Sequence, residues 1–148
     1  MAADLRSSIS DIVAQNLSLV DEMDDVGRLV NAAGLAAPTE PNFHTLWRAN
    51  TLLPAVVDLL ANEVGVRRIV HVSSAAVQAD VGTLNESDSH SAITPYARSK
   101  ADAECFLLKD ALVPTVIFRA TSVVGPDRAV VNSLKLSLIH ISEPTRPY

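Results

Sequence analysis

The sequence predicts a doubly wound α/β domain on a parallel sheet, and three observations carry that reading. Short, β-branched apolar runs alternate with longer stretches of helical period. Each link between successive strand runs is long enough to hold a helix, which argues for right-handed crossovers between parallel strands. Residues suited to ligand chemistry fall at the carboxyl ends of the strand runs, where open α/β sheets bind ligands: Asn31 to Gly34, Ser73 and Ser74, and Arg119 to Val123.

Residues 8–24 place Ile9, Ile12, Val13, Leu17, Val20 and Met23 at steps of three and four, the pattern of an amphipathic helix. Residues 28–34 read as a short buried strand running into a glycine turn. A loop holding Pro38 and Pro41 follows. Residues 43–63 predict a long helix with Leu46, Leu53, Val56, Val57 and Leu60 along it, stopped by Gly65. Residues 67–73 are β-branched and apolar, as an interior strand requires. Residues 80–91 are polar and predict a surface loop, with Glu86 and Asp88 solvated. Thr94 is placed to cap the next helix, with Pro95 at its first position, where a missing N–H costs nothing. That helix is expected to run to about Leu112, and residues 113–119 form the next strand.

Composition narrows the function. The 148 residues are 48% hydrophobic, enough for one domain with a core. The net charge of -5 and the lack of a basic run argue against nucleic-acid binding. No apolar stretch has the length a membrane span needs, and the first residues lack the pattern of a signal peptide. The single Cys105 makes no internal disulfide, which fits a reducing cytoplasm; its position among helical apolar residues reads as core. The four His residues show no metal-ligand spacing, so no metal is expected.

The chemistry lies in Pro95-Tyr96-Ala97-Arg98-Ser99-Lys100, with Ser73-Ser74 upstream. Tyr and Lys four apart on a helix share one face. The Lys100 ammonium favours the phenolate form of Tyr96, and the Ser74 hydroxyl can hold a substrate oxygen beside it. Such a set suits moving a proton on or off an alcohol while a hydride leaves or arrives.

These motifs, in this order, resemble the extended short-chain dehydrogenase/reductases, the NAD-dependent epimerase/dehydratase family. The likeness runs from about Asp4 to Leu134. It implies a Rossmann-like fold, NAD or NADP as cofactor, a small-molecule substrate, and often a homodimer through the two long helices. It implies Ser74, Tyr96 and Lys100 as the catalytic residues, with Lys100 also binding the ribose hydroxyls. Asp4 and Leu5 resemble the segment near the adenine. Asn31, Ala32, Ala33 and Gly34 resemble the one that passes beside the cofactor. Asn50 lies on the helix behind the active site, and Ser73 beside Ser74. Ala120, Thr121, Ser122 and Val123 resemble the strand end over the nicotinamide. In some relatives the main-chain carbonyl of the Asn on this helix holds a relay water. Pro54, which has no N–H to offer that carbonyl, would keep it free.

The family's Gly-x-x-Gly-x-x-Gly loop is not found in these 148 residues. The likeness therefore implies a partial domain whose first strands would precede Met1. It also implies weak cofactor binding and little turnover by this polypeptide. Gln78-Ala79 stands where many nucleotide-sugar members have Tyr-Gly. Ala120 and Val124 replace Pro and an aromatic. These departures leave other carbonyl substrates open. Residues 136–148 are expected to be a non-native tail, because Leu136 to Arg146 resembles the in-frame translation of a transposase sequencing adapter; the domain is then residues 1–135.

Two other function classes fit parts of the pattern. A non-catalytic dinucleotide sensor on the same fold would bind cofactor without turnover. A scaffold pairing through its long helices would leave the Ser, Tyr and Lys unexplained.

Overall fold

The computed structural model describes Asp11, Ala14, residues 26–79 and residues 82–121. Within them three strands form one parallel sheet in the order β1-β2-β3: β1 is Leu29–Asn31, β2 is Ile69–Ser74 and β3 is Thr115–Ala120. The register sets Asn31 beside His71, His71 beside Ile117, and Ser74 beside Ala120. The three carboxyl ends therefore face one edge of the sheet, with β2 and β3 ending together and β1 stopping level with His71.

The helix between β1 and β2 is interrupted. Residues Phe43–Trp47 (α1) and Leu53–Glu63 (α2) are α-helical, and Arg48–Leu52 between them forms a π turn. Pro54 supplies the reason. An interior proline has no N–H for the carbonyl four residues back, and its ring crowds that carbonyl. The wider turn absorbs the conflict, and Leu53 N donates to Arg48 O in the five-residue pattern. Asn42 caps α1, accepting from His44 N and Thr45 N. Gly65, at φ 75, ends α2. Val66 N donates to Ala61 O at 2.8 Å and Gly65 N to Asn62 O at 3.2 Å, the paired bonds of a Schellman stop.

Helix α3, Pro95–Lys109, starts as predicted, with Thr94 Oγ1 accepting from Ala97 N at 3.1 Å. It stops short of the expected Leu112. The Leu112 and Val113 amides donate instead to the buried Asp58 carboxylate on α2, at 2.9 and 3.0 Å. Those two bonds turn the chain from helix into β3. A short 3-10 turn, Ala75–Gln78, follows β2.

The helices cover one face of the sheet. Ile69, His71 and Ser73 of β2 point into it and are buried. Ala61, Val66, Ile69 and Val113 form the core there, with Val26, Leu29 and Val64 against it. On the opposite face Val30, Val70 and Val116 are neighbours in register, as are Val72 and Phe118. Val30 is 67% exposed, Val116 46% and Phe118 57%. Of the predicted first helix only Asp11 and Ala14 are described, both helical and exposed.

Candidate active site

Lys100 is the centre of the site. It sits on the second turn of α3, is buried, and donates from Nζ to Val72 O of β2 at 3.3 Å. An ammonium has three N–H donors. Tyr96 lies one turn earlier on the same helix and is half-buried. Burial lowers the Lys100 pKa from its ordinary value, and the Glu104 charge opposes that in part.

Gly34 closes the site from the β1 side. A Cβ built there would stand 2.8 Å from Asn50 Oδ1 and 3.2 Å from Lys100 Nζ. Asn50, fully buried in the π turn, ties this loop to the helices. Its Oδ1 accepts from Leu35 N at 2.8 Å, and its Nδ2 donates to Leu35 O at 3.2 Å and Ser99 Oγ at 3.1 Å. Ser99 Oγ donates on to Tyr96 O at 2.7 Å, and Thr51 Oγ1 donates to Ser99 O at 2.7 Å. The π turn thus grips the helix turn that carries Tyr96 and Lys100.

The other predicted residues fall as follows. Ser74, half-buried at the end of β2, accepts from Ala76 N at 3.2 Å and so caps the 3-10 turn. Ser73 is buried and donates to Glu104 Oε1. Asn31 is buried and accepts from Ala33 N at 3.2 Å, bending the chain into the exposed Ala32, Ala33 and Gly34. Ala120 and Thr121 lie at the end of β3 beside Ser74. Asp4, Leu5, Ser122, Val123 and the tail 136–148 lie outside the described residues.

The sequence leaves Arg119, at a strand end, open to a carboxylate partner; the structure supplies Glu104, which sequence reasoning did not identify. Glu104, fully buried, receives Arg119 Nε at 3.0 Å and Nη2 at 2.7 Å, His90 Nε2 at 2.8 Å, and Ser73 Oγ. Burial alone would raise its pKa. The hydrogen bonds from Arg119, Ser73 and His90, with the Arg119 charge, outweigh that and hold it below its ordinary value. Arg119 Nη1 reaches on to Ser87 O at 2.8 Å, and the buried Gln78 amide donates to Ser89 O at 3.1 Å and Asn85 Oδ1 at 3.2 Å. The polar loop is therefore clamped from two sides. His71 is fully buried, and neither ring nitrogen has a hydrogen-bond partner. Burial first, then the Lys100 charge, lowers its pKa to about 4 against the opposing pull of Glu104.

A cavity of about 600 Å³ lies beside the Ser-Tyr-Lys group rather than in it, lined by Ala75, Gln78, Asn85, Phe118, Arg119 and Thr121 among others. Among the described residues no cluster of His, Cys, Asp and Glu is arranged for a metal, and no helix is long and apolar enough to cross a membrane.

Known proteins share this arrangement of strands and helices. MoeE5 in complex with UDP-glucuronic acid and NAD matches at TM-score 0.64 and 29% identity, over 76% of this chain and 40% of that one. UDP-glucuronic acid 4-epimerase from Bacillus cereus in complex with NAD matches at TM-score 0.69 and 20% identity, over 82% and 42%. DesIV, a dTDP-glucose 4,6-dehydratase from Streptomyces venezuelae, matches as a double mutant at TM-score 0.67 and 22% identity, over 82% and 41%. The latter two likenesses concern the fold. The chain spans about two fifths of the length of each. No curated protein matches the sequence. The sequence profile of one family covers residues 10–140, and by that match the chain belongs to the NAD dependent epimerase/dehydratase family.

Proposed function

We propose that this chain carries the acid/base half of an NAD-dependent oxidoreductase acting at an alcohol or carbonyl carbon of a small molecule. The observation that supports it most is the anchoring of Lys100 at Val72 O, one helix turn from Tyr96, with Ser74 at the end of the same strand. Tyr96 gives or takes the proton at the substrate oxygen. Ser74 holds that oxygen through its hydroxyl. Lys100 stands one helix turn from Tyr96 and binds ribose hydroxyls with the donors that Val72 leaves over. The cradle fits a dinucleotide: Gly34 lets the backbone pass close to Lys100, where any side chain would intrude. Asn31, Ala32, Ala33 and Gly34, with Ala120 and Thr121, would hold the nicotinamide half. Asp4, Leu5, Ser122 and Val123 would make the cofactor contacts that the family likeness implies. NAD, when bound, supplies or removes the hydride.

A nucleotide sugar is the first substrate class to try, because MoeE5 is a complex with UDP-glucuronic acid in one structure and with UDP-glucose in another. These 148 residues contain no Gly-x-x-Gly-x-x-Gly before a helix, so we expect the chain alone to bind NAD weakly and turn over little. The decisive assay tests the chain, and any longer form of it that carries such a loop, with NAD and UDP-glucuronic acid or UDP-glucose. Tyr96→Phe and Lys100→Ala should each lower kcat by about 100-fold or more. Unchanged rates in both variants overturn the assignment.

A further inference from the structure

A nucleophile, a base and an orienting carboxylate meet outside the Ser74–Tyr96–Lys100 group. Cys105, half-buried on α3, places Sγ 3.6 Å from His90 Nδ1, within reach for a sulfur donor. On the other side of the ring His90 Nε2 lies 2.8 Å from Glu104 Oε2. His90 is 15% exposed, and its loop runs over the sheet end.

The hydrogen-bond directions follow from Glu104. Its carboxyl takes hydrogen bonds from Arg119 and Ser73 and is held in the ionised form, so it only accepts. The proton shared with His90 therefore sits on Nε2. Neutral His90 then presents the Nδ1 lone pair to the Cys105 thiol. Arg119 Nη2 lies 3.4 Å from Nε2 and shares the Glu104 carboxylate with it. This is the nucleophile–base–orienter geometry of activated thiols.

We propose that Cys105 is a modification site, a thiol activated by His90 that exchanges with small disulfides of the glutathione type. Cys105 Sγ attacks one sulfur of the disulfide. A new S–S bond forms as the old one breaks, and the leaving thiolate departs with the electron pair. The Cys105 proton passes to His90 Nδ1. The protein sulfur is oxidised and the departing half is reduced. The adduct would stand beside His90 and draw it from Glu104, loosening the loop that leads into Tyr96.

Cys105 is the only cysteine in the sequence, so the mass of the intact chain reports on it alone. The test follows iodoacetamide alkylation, then mixed-disulfide formation with oxidised glutathione, at pH 7 in the native chain and in the same chain unfolded in urea. Both native reactions should run on the order of tenfold faster than in the unfolded chain. His90→Asn should bring the native rates down to the unfolded ones. Native rates equal to or below the unfolded rates overturn the proposal without recourse to any variant. Native rates that stay high in a folded His90→Asn chain also overturn it, because the base would then lie elsewhere.

Discussion

Gly34 and Lys100 are packed so closely that a single methyl on Gly34 would come within 3.2 Å of the Lys100 ammonium nitrogen. The same methyl would meet Asn50 Oδ1 at 2.8 Å, and Gly34 has a φ of 151°. Gly34→Ala should therefore destabilise the chain by about 1–3 kcal/mol and displace Asn50 from Leu35. Gly82 has nothing within 4 Å of such a methyl. Gly82→Ala, measured in parallel by urea unfolding, should stay within about 0.5 kcal/mol of the parent. Equal losses in both would show that the close approach at Gly34 is not what fixes the residue.

Asp58 holds the junction of α3 and β3 through two amides. Asp58→Ala leaves both amides without an acceptor and should lower stability by about 2–4 kcal/mol. Asp58→Asn keeps one acceptor oxygen and should cost less. Hydrogen exchange gives the local readout, with the Leu112 and Val113 amides losing protection in the Ala variant first.

Acid stability should fall early because of His71. Its folded pKa is about 4, below the ordinary 6.5. Between those values the unfolded chain binds a proton that the folded chain does not. Stability is therefore lost as pH falls from 6.5 towards 4, by about 3 kcal/mol at most. The depressed Glu104 acts in the same direction in a lower window: its contribution is present above its unfolded value and fades as pH falls through the folded one. Comparing urea midpoints at pH 7 and pH 5.5 isolates His71. His71→Phe should flatten the difference, and an undiminished difference would place the titrating group elsewhere.

Breaking the buried ion pair should be expensive. Arg119→Ala leaves Glu104 buried without its main partner and should cost about 3–5 kcal/mol. It also removes the clamp on Ser87 O. Exchange of the amides in residues 82–91 should then speed up more than exchange in α2. Uniform loosening of both would assign Arg119 a general packing role.

Elements with local signals were legible in the sequence. β-branched runs marked β2 and β3 to within two residues, and Thr94-Pro95 announced the start of α3, because propensity and capping depend on near neighbours. Gly65 marked the end of α2 for the same reason. What was lost depends on distance along the chain. Asp58 finds its partners 54 and 55 residues away, so the early end of α3 had no local mark. Pro54 was visible inside a helical run, but the π turn that accommodates it is a three-dimensional compromise. Glu104 did leave a trace: Tyr96, Lys100 and Glu104 follow one another at steps of four and so form one stripe on α3. Cys105, read as a core residue, is half-buried against His90, a contact across 15 residues that no periodicity reports.

The half-exposed apolar face of the sheet has a calorimetric consequence. Val30, Val116 and Phe118 keep about half or more of their surface in water in the folded chain, so unfolding adds less new water contact there than a covered face would. The heat-capacity increment should fall below the roughly 12–15 cal/mol/K per residue common to globular domains. The dependence of stability on urea should be correspondingly shallow. A flatter stability curve results, and this protein should respond to cooling and warming less steeply than others of its length.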